Sequence, residues 1–171
     1  MQTDEFTGKG KISLTEDFVL EPSDKSGKLA GWALVINQGS GIDVDINKND
    51  LVKTTINIEG RVDVDGTTYA IATLNGSYKM GDPDGYTGEV GIDVTNDIIW
   101  NQGERFQYML AATSSFKAST QGSKVVAANG TFLLAASEGG VTKVIATLDA
   151  DWTEAGGLNT SGEIDVEEQI L

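Results

Sequence analysis

The sequence predicts an all-β fold, an antiparallel barrel or sandwich of about eight to ten strands built from an internally duplicated four-strand unit. Three observations predict it. Residues 66–94 return as residues 140–166, apolar and polar residues alternate along most of the chain, and no stretch carries helical periodicity.

The repeat is legible residue by residue. Gly66, Thr68, Ile71, Ala72, Thr73 and Leu74 recur as Gly140, Thr142, Ile145, Ala146, Thr147 and Leu148, and Tyr78 recurs as Trp152. Thr87-Gly88-Glu89 matches Ser161-Gly162-Glu163, and Ile92-Asp93-Val94 matches Ile164-Asp165-Val166. Upstream, Asn37-Gln38-Gly39 followed by Ile42, Val44 and Ile46 matches Asn101-Gln102-Gly103 followed by Phe106, Tyr108 and Leu110. On this alignment the second copy gains ten residues in even steps and later loses two. Strand side chains alternate faces, so an even change near a turn keeps every residue facing the same way. At 171 residues the chain reads as a single domain, 1–171. It divides into an N-terminal arm with strands (1–36), a repeat unit (37–95) and a second unit (96–171).

Taken in order, Phe6-Thr-Gly-Lys-Gly-Lys-Ile-Ser-Leu14 is predicted as a strand. Its Thr7-Gly8, Ile12 and Leu14 line up with Thr87-Gly88, Ile92 and Val94, a partial third copy of one repeat element. A strand with no repeat before it either closes the domain's own seam or adds to a neighbouring copy. The second option makes the protein a homo-oligomer joined through residues 6–14, and the reading favours it. Residues 21–27 are dense in turn formers, and residues 29–36 form an apolar run holding Trp32. Ile42, Val44 and Ile46 alternate with Asp43 and Asp45, and Ile56, Ile58, Val62 and Val64 alternate with polar residues. Asp65-Gly66 signals a hairpin. A two-residue loop would set Val62 opposite Tyr69, and a three-residue loop, the reading favoured here, sets Val62 opposite Ala70, with Ala72, Leu74 and Tyr78 on the inner face. In the second copy Phe106, Tyr108, Leu110, Ala112, Ser114 and Phe116 share one face of a long strand. The return strand then opposes Phe116 to Val126, Leu110 to Phe132 and Phe106 to Ala136, and Leu148 falls in the core.

Composition excludes several chemistries. The chain has no Cys and no His, so disulfides, Ser-His-Asp triads, Cys-His pairs and His-ligated zinc are all ruled out within one chain. Any catalysis would fall to carboxylates, Tyr, Lys or hydroxyls, and no residue is assigned a catalytic role or a cofactor. The net charge of −14 opposes direct nucleic-acid binding. No apolar run approaches a membrane span, and the first five residues do not resemble a signal peptide. The expected location is a virion or the cytoplasm, or outside the cell if a signal was removed.

Five candidate sites stand out, most of them beside a simpler reading. Asp82, Asp84 and Glu89 faintly resemble a calcium loop, but the ligand order is wrong for an EF-hand and a polar turn explains them. Asp43-Val-Asp45-Ile-Asn47 has ligand-like spacing that strand alternation also produces. Asn75, Asn129 and Asn159 begin glycosylation triplets, where Asn-Gly also simply makes turns. Trp32, Tyr78, Trp100, Tyr108 and Trp152 could bind a small apolar ligand or pack as core. Glu89 and Glu163, at matching repeat positions, form a candidate carboxylate pair.

The opening pattern resembles one known family. The run of residues 6–14, a Gly-containing loop, Gly31-Trp32, Val35-Ile36-Asn37 and an alternating strand together resemble the start of bacteriophage tail-tube proteins. The resemblance covers roughly the first third of the chain, and its motif is short. It implies a non-catalytic virion-type subunit that self-assembles, with an acidic lumen along which DNA slides. That family carries a helix against its sandwich, and this chain shows no helical stretch. Two other readings stay open: a calycin-like barrel holding an apolar molecule, with cyclase or isomerase activity of the allene-oxide-cyclase-like type, and a secreted adhesion or glycan-binding module.

Overall fold

A computed structural model describes residues 5–22, 30–83, 85–100, 103–122 and 124–164. Within them lie thirteen antiparallel strands and no helix. They are β1 (Gly8–Ser13), β2 (Phe18–Leu20), β3 (Trp32–Ile36), β4 (Gly41–Asn47), β5 (Asp50–Val64), β6 (Thr67–Lys79) and β7 (Tyr86–Val94). The chain continues through β8 (Ile98–Ile99), β9 (Phe106–Leu110), β10 (Ser115–Gln121), β11 (Lys124–Glu138), β12 (Val141–Thr153) and β13 (Gly157–Ile164). One hydrogen-bonded path runs β1-β4-β5-β6-β7-β10-β11-β12-β13. Its two ends do not pair with each other, so the sheet is not a closed barrel.

The duplication is visible in the ladders. Each long strand, β5 and β11, carries two short strands end to end along one edge: β4 then β3 beside β5, and β10 then β9 beside β11. Thr54 opposes Tyr78 as Ala128 opposes Trp152, which bears out the expected equivalence of Tyr78 and Trp152. The strand predicted from residues 6–14 also holds its place. Ile12 opposes Ile42 on β4 as Ile92 opposes Phe116 on β10, so β1 is the counterpart of β7. Ile164 opposes Ala146 as Ile92 opposes Ala72, which makes β13 a third strand of the same type.

The Asp65-Gly66 hairpin forms with both residues at positive φ, 48° and 81°, as a primed two-residue turn requires. Val62 does oppose Ala70 as expected, but not through the expected three-residue loop: the loop has two residues, and a bulge at Tyr69 shifts the register by one. In the second copy the bulge sits at Ile145, whereas Ile71 is paired with Arg61. Ile71 and Ile145 therefore match in sequence but not in pairing.

Other expectations are corrected by the register. The long strand through Phe106 and Phe116 is broken between β9 and β10, so Ala112 and Ser114 lie in a corner. Phe116 opposes Gly130, Leu110 opposes Leu134 and Phe106 opposes Glu138. The counterpart of Ile42 is thus Phe116 rather than Phe106, and the ten-residue insertion disappears. The Asn37-Gln38-Gly39 match misled the alignment; its partners Asn101 and Gln102 lie outside the described residues.

The corners are where the core sits. Residues 37–40 join β3 to β4, and residues 111–114 join β9 to β10. Their bonding is duplicated: Ser40 N donates to Asn37 O at 3.1 Å, and Ser114 N donates to Ala111 O at 3.2 Å. The turn needs a left-handed residue, which is Gly39 in one copy and Thr113, at φ 76°, in the other. At the break between the short strands, one amide of the long strand would lose its ladder partner. Ser40 Oγ accepts from Glu59 N at 3.0 Å, and Ser114 Oγ accepts from Leu133 N at 3.0 Å. Ser114 is 1% exposed, and Met109, Ala135 and Ala136 of the same copy are buried too. Replacing Ser114 with Ala should leave the Leu133 amide unpaired and cost about 1–3 kcal/mol. Urea unfolding would read this as a lower midpoint at unchanged slope, and a loss under about 0.5 kcal/mol would contradict the assigned role.

Candidate assembly surface

Residues opposed on antiparallel strands share a face, so the ladders sort the whole sheet into two surfaces. One face is apolar. A single row crosses it from Ile58 through Leu74, Val90, Ala118 and Ala128 to Trp152 and Leu158. The row behind it on the other face reads Glu59, Thr73, Gly91, Lys117, Asn129, Asp151 and Asn159. This is the pattern of a sheet wetted on one side only.

The apolar face is nevertheless poorly covered. Leu148, expected in the core, is 47% exposed, and Val90, Ile92, Leu134 and Leu158 are exposed as well. The chain presents 11760 Å² to solvent, whereas a compact monomer of 18.1 kDa presents about 8,000 Å². At the sheet ends, Ile12 on β1 is 78% exposed and Ile164 on β13 is 77% exposed. Both are end strands of the same structural type, each bonded on one side only among the described residues. β7, between β6 and β10, shows how such a strand is satisfied on both sides.

Two glycines keep this face close to the backbone. A Cβ on Gly76 would meet the Tyr86 hydroxyl at 2.1 Å, and one on Gly130 would meet the Phe132 ring at 2.9 Å. Each lies mid-strand, so the Asn-Gly pairs at 75 and 129 are not turns. They are places where an aromatic side chain takes the space of a Cβ: Tyr86 from the neighbouring strand β7 at Gly76, and Phe132 from the same strand at Gly130. Asn75, Asn129 and Asn159 are exposed strand residues of the polar face.

Trp32, Tyr78, Tyr108 and Trp152 all lie on strands of the apolar face. Trp100 follows β8, 61% exposed, its amide bonded to the Tyr108 carbonyl. They are not gathered into one floor: Trp152 is four ladder steps from Tyr78, roughly 20 Å across the sheet. Asp82 lies in the turn between β6 and β7, Asp84 is outside the described residues, and Glu89 lies four residues beyond Gly85 on the polar face. Among the described residues no group of acidic side chains is arranged to hold a metal ion. Glu89 opposes Asn75, whereas Glu163 opposes Thr147, so the two are not equivalent and form no pair.

Two open concavities of mixed lining lie on the polar face. A trough of about 590 Å³ is lined by Asn57, Asn75, Ser77, Thr87, Glu89 and Ser119. A smaller one, about 350 Å³, follows β1 and β4, with Lys9 and Lys11 facing Asp45 and Asp43 at 3.6 and 3.9 Å. Alternation explains Asp43 and Asp45, each on the polar face opposite a lysine.

A dense charged cluster among the described residues is structural. Arg61 Nε donates to Asp63 at 2.9 Å, Nη2 to Asp17 at 2.8 Å and Nη1 to Asn37. Asp17 also accepts from Gln38 N at 2.7 Å, as Asp97 accepts from Ala112 N at 2.7 Å in the other corner. The Gln38 amide, then Arg61, holds the Asp17 carboxyl below its ordinary range. Asp17, then Asp63, raises the Arg61 guanidinium further. The counterparts of Arg61 and Asn37 are Ala135 and Ala111, so the second corner is built from apolar packing. The matched Asp17 and Asp97, and the matched Ser40 and Ser114, went unread in the sequence. The signal was there in Leu14-x-x-Asp17 against Val94-x-x-Asp97.

No family model, curated protein or solved structure matches this chain.

Proposed function

We propose that the chain is a non-catalytic structural subunit that assembles with copies of itself, of the virion type its N-terminal resemblance implies. The observation that carries this reading is the sheet's pair of unsatisfied ends. β1 and β13 are strands of one type, and among the described residues each lacks the second neighbour that β7 has. An edge of this kind with exposed Ile12 or Ile164 is a template for another chain.

The area argument agrees. The surface beyond that of a compact monomer, roughly 3,700 Å², exceeds the ~1,600 Å² that a subunit gives up in two standard-sized interfaces. A second copy is the natural occupant, because the sheet already contains the joint it would form. The −14 charge is compatible with a surface that DNA passes without sticking. Light scattering coupled to size exclusion should give a mass rising with concentration above the 18.1 kDa monomer. A constant monomer mass up to millimolar concentration would refute the proposal.

A further inference from the structure

The internal joint of the sheet specifies an external one. β7 sits between β6 and β10, and each of these has a counterpart, β12 and β4, next to an end strand. Resting on the self-assembly reading above, we infer that β1 of one copy occupies the slot on β12 of the next copy, displacing that copy's β13.

The apolar complement supports the exchange. On β12, Ala146 and Leu148 oppose Ile164 and Gly162 of β13. At the corresponding positions β1 carries Ile12 and Gly10, the same two residue types in the same order. A Cβ on Gly162 would meet the Thr147 carbonyl at 3.1 Å and the Leu148 side chain at 3.6 Å, and Gly10 brings no more bulk to that position than Gly162 does. To the apolar face of β12, β1 and β13 are interchangeable.

The polar face separates them. Asn75 opposes Glu89 in the internal joint, and the counterparts of these residues are Asp149 and Lys9. β1 on β12 therefore sets Lys9 directly opposite Asp149, with Lys11 opposite Thr147 and diagonal to Asp149. Lys9 would then lie between Asp45 of its own β4 and Asp149 of the neighbour. β13 instead puts Ser161 opposite Asp149 and Glu163 diagonal to it. The reverse exchange, β13 on a neighbour's β4, would set Glu163 opposite Asp43. Opposed unlike charges stabilise a strand pair and opposed like charges destabilise it. The charges choose β1 as the joining strand. A joint between different surfaces of identical subunits propagates head to tail, into a ring if the rotation closes.

The test uses the absence of cysteine from the chain. A full-length Ile12→Cys/Ala146→Cys variant brings two thiols opposite each other across the joint. Directly opposed antiparallel residues lie about 4.5–5.5 Å apart, within disulfide reach. Mild oxidation should give a ladder of disulfide-linked oligomers on non-reducing gels. Adding Lys9→Glu and Lys11→Glu should cut the cross-linked yield at least tenfold, and adding Asp149→Lys should restore part of it. Monomers linked within one chain would mean that β1 closes its own barrel, overturning the inference. So would an assembled protein that cross-links through Lys11→Cys and Glu163→Cys instead, because β13 then stays in place and the two end strands lie side by side. In both the self-assembly reading is judged separately, by mass: assembly without the 12–146 link refutes only the joint, whereas a constant monomer refutes both.

Discussion

Met109→Ala should lower the unfolding free energy by about 2–5 kcal/mol, the largest loss expected from any single truncation in this chain. Met109 is 2% exposed on β9, opposite Ala135, which is 1% exposed, and Ile99. Its removal empties a buried part of the second corner, where Ala135 on one side is too small to fill the space. For a chain of this length a loss near 3 kcal/mol corresponds to roughly 6–12 °C in melting temperature. The first corner is held differently: Val35 is buried beside Arg61, whose guanidinium is committed to Asp17, Asp63 and Asn37. A loss below 1 kcal/mol for Met109→Ala would show that the second corner is not core.

Leu148→Asp should separate folding from assembly. A buried, unpaired carboxylate would unfold the domain, and that is what the repeat alone leads one to expect of Leu148. At 47% exposure, opposite Phe132 and Gly162, the new carboxylate instead keeps much of its water. Melting should stay within about 1 kcal/mol of wild type, as for substitutions outside the core. The oligomer should nevertheless fall to a monomer, because contact with a second copy would strip that water away. Unfolding of the variant would return Leu148 to the core. Undiminished assembly would remove the apolar face from the interface.

The contrast at Leu148 marks the limit of what the residues declare. Alternation such as Ile42-Asp43-Val44-Asp45 reports which residues share a face, and this reading of an all-β antiparallel fold holds. Alternation does not report what covers the face. The β1 strand was legible because Ile12 and Leu14 keep the spacing of Ile92 and Val94. The corners were not, because their chemistry lies in single residues such as Ser40 and Ser114, whose partners are backbone amides far along the chain. A local match, Asn37-Gln38-Gly39, outweighed the weaker but correct match of Gly39-Ser40 to Thr113-Ser114. Glu89 and Glu163 were paired for a similar reason: the two-residue shortening falls in the hairpin turn before β13, not within the strand, so Gly162 matches Val90 rather than Gly88.

The central claim is that an end strand of the sheet joins one copy to another, and deletion of residues 1–14 tests it most directly. β1 pairs with β4 alone in the path of the sheet, so its removal leaves the other ladders intact. Sedimentation velocity should find the truncated protein folded and monomeric at concentrations where the full chain is assembled. A truncated protein that folds and keeps its oligomeric mass, or one that cannot fold, would contradict the claim.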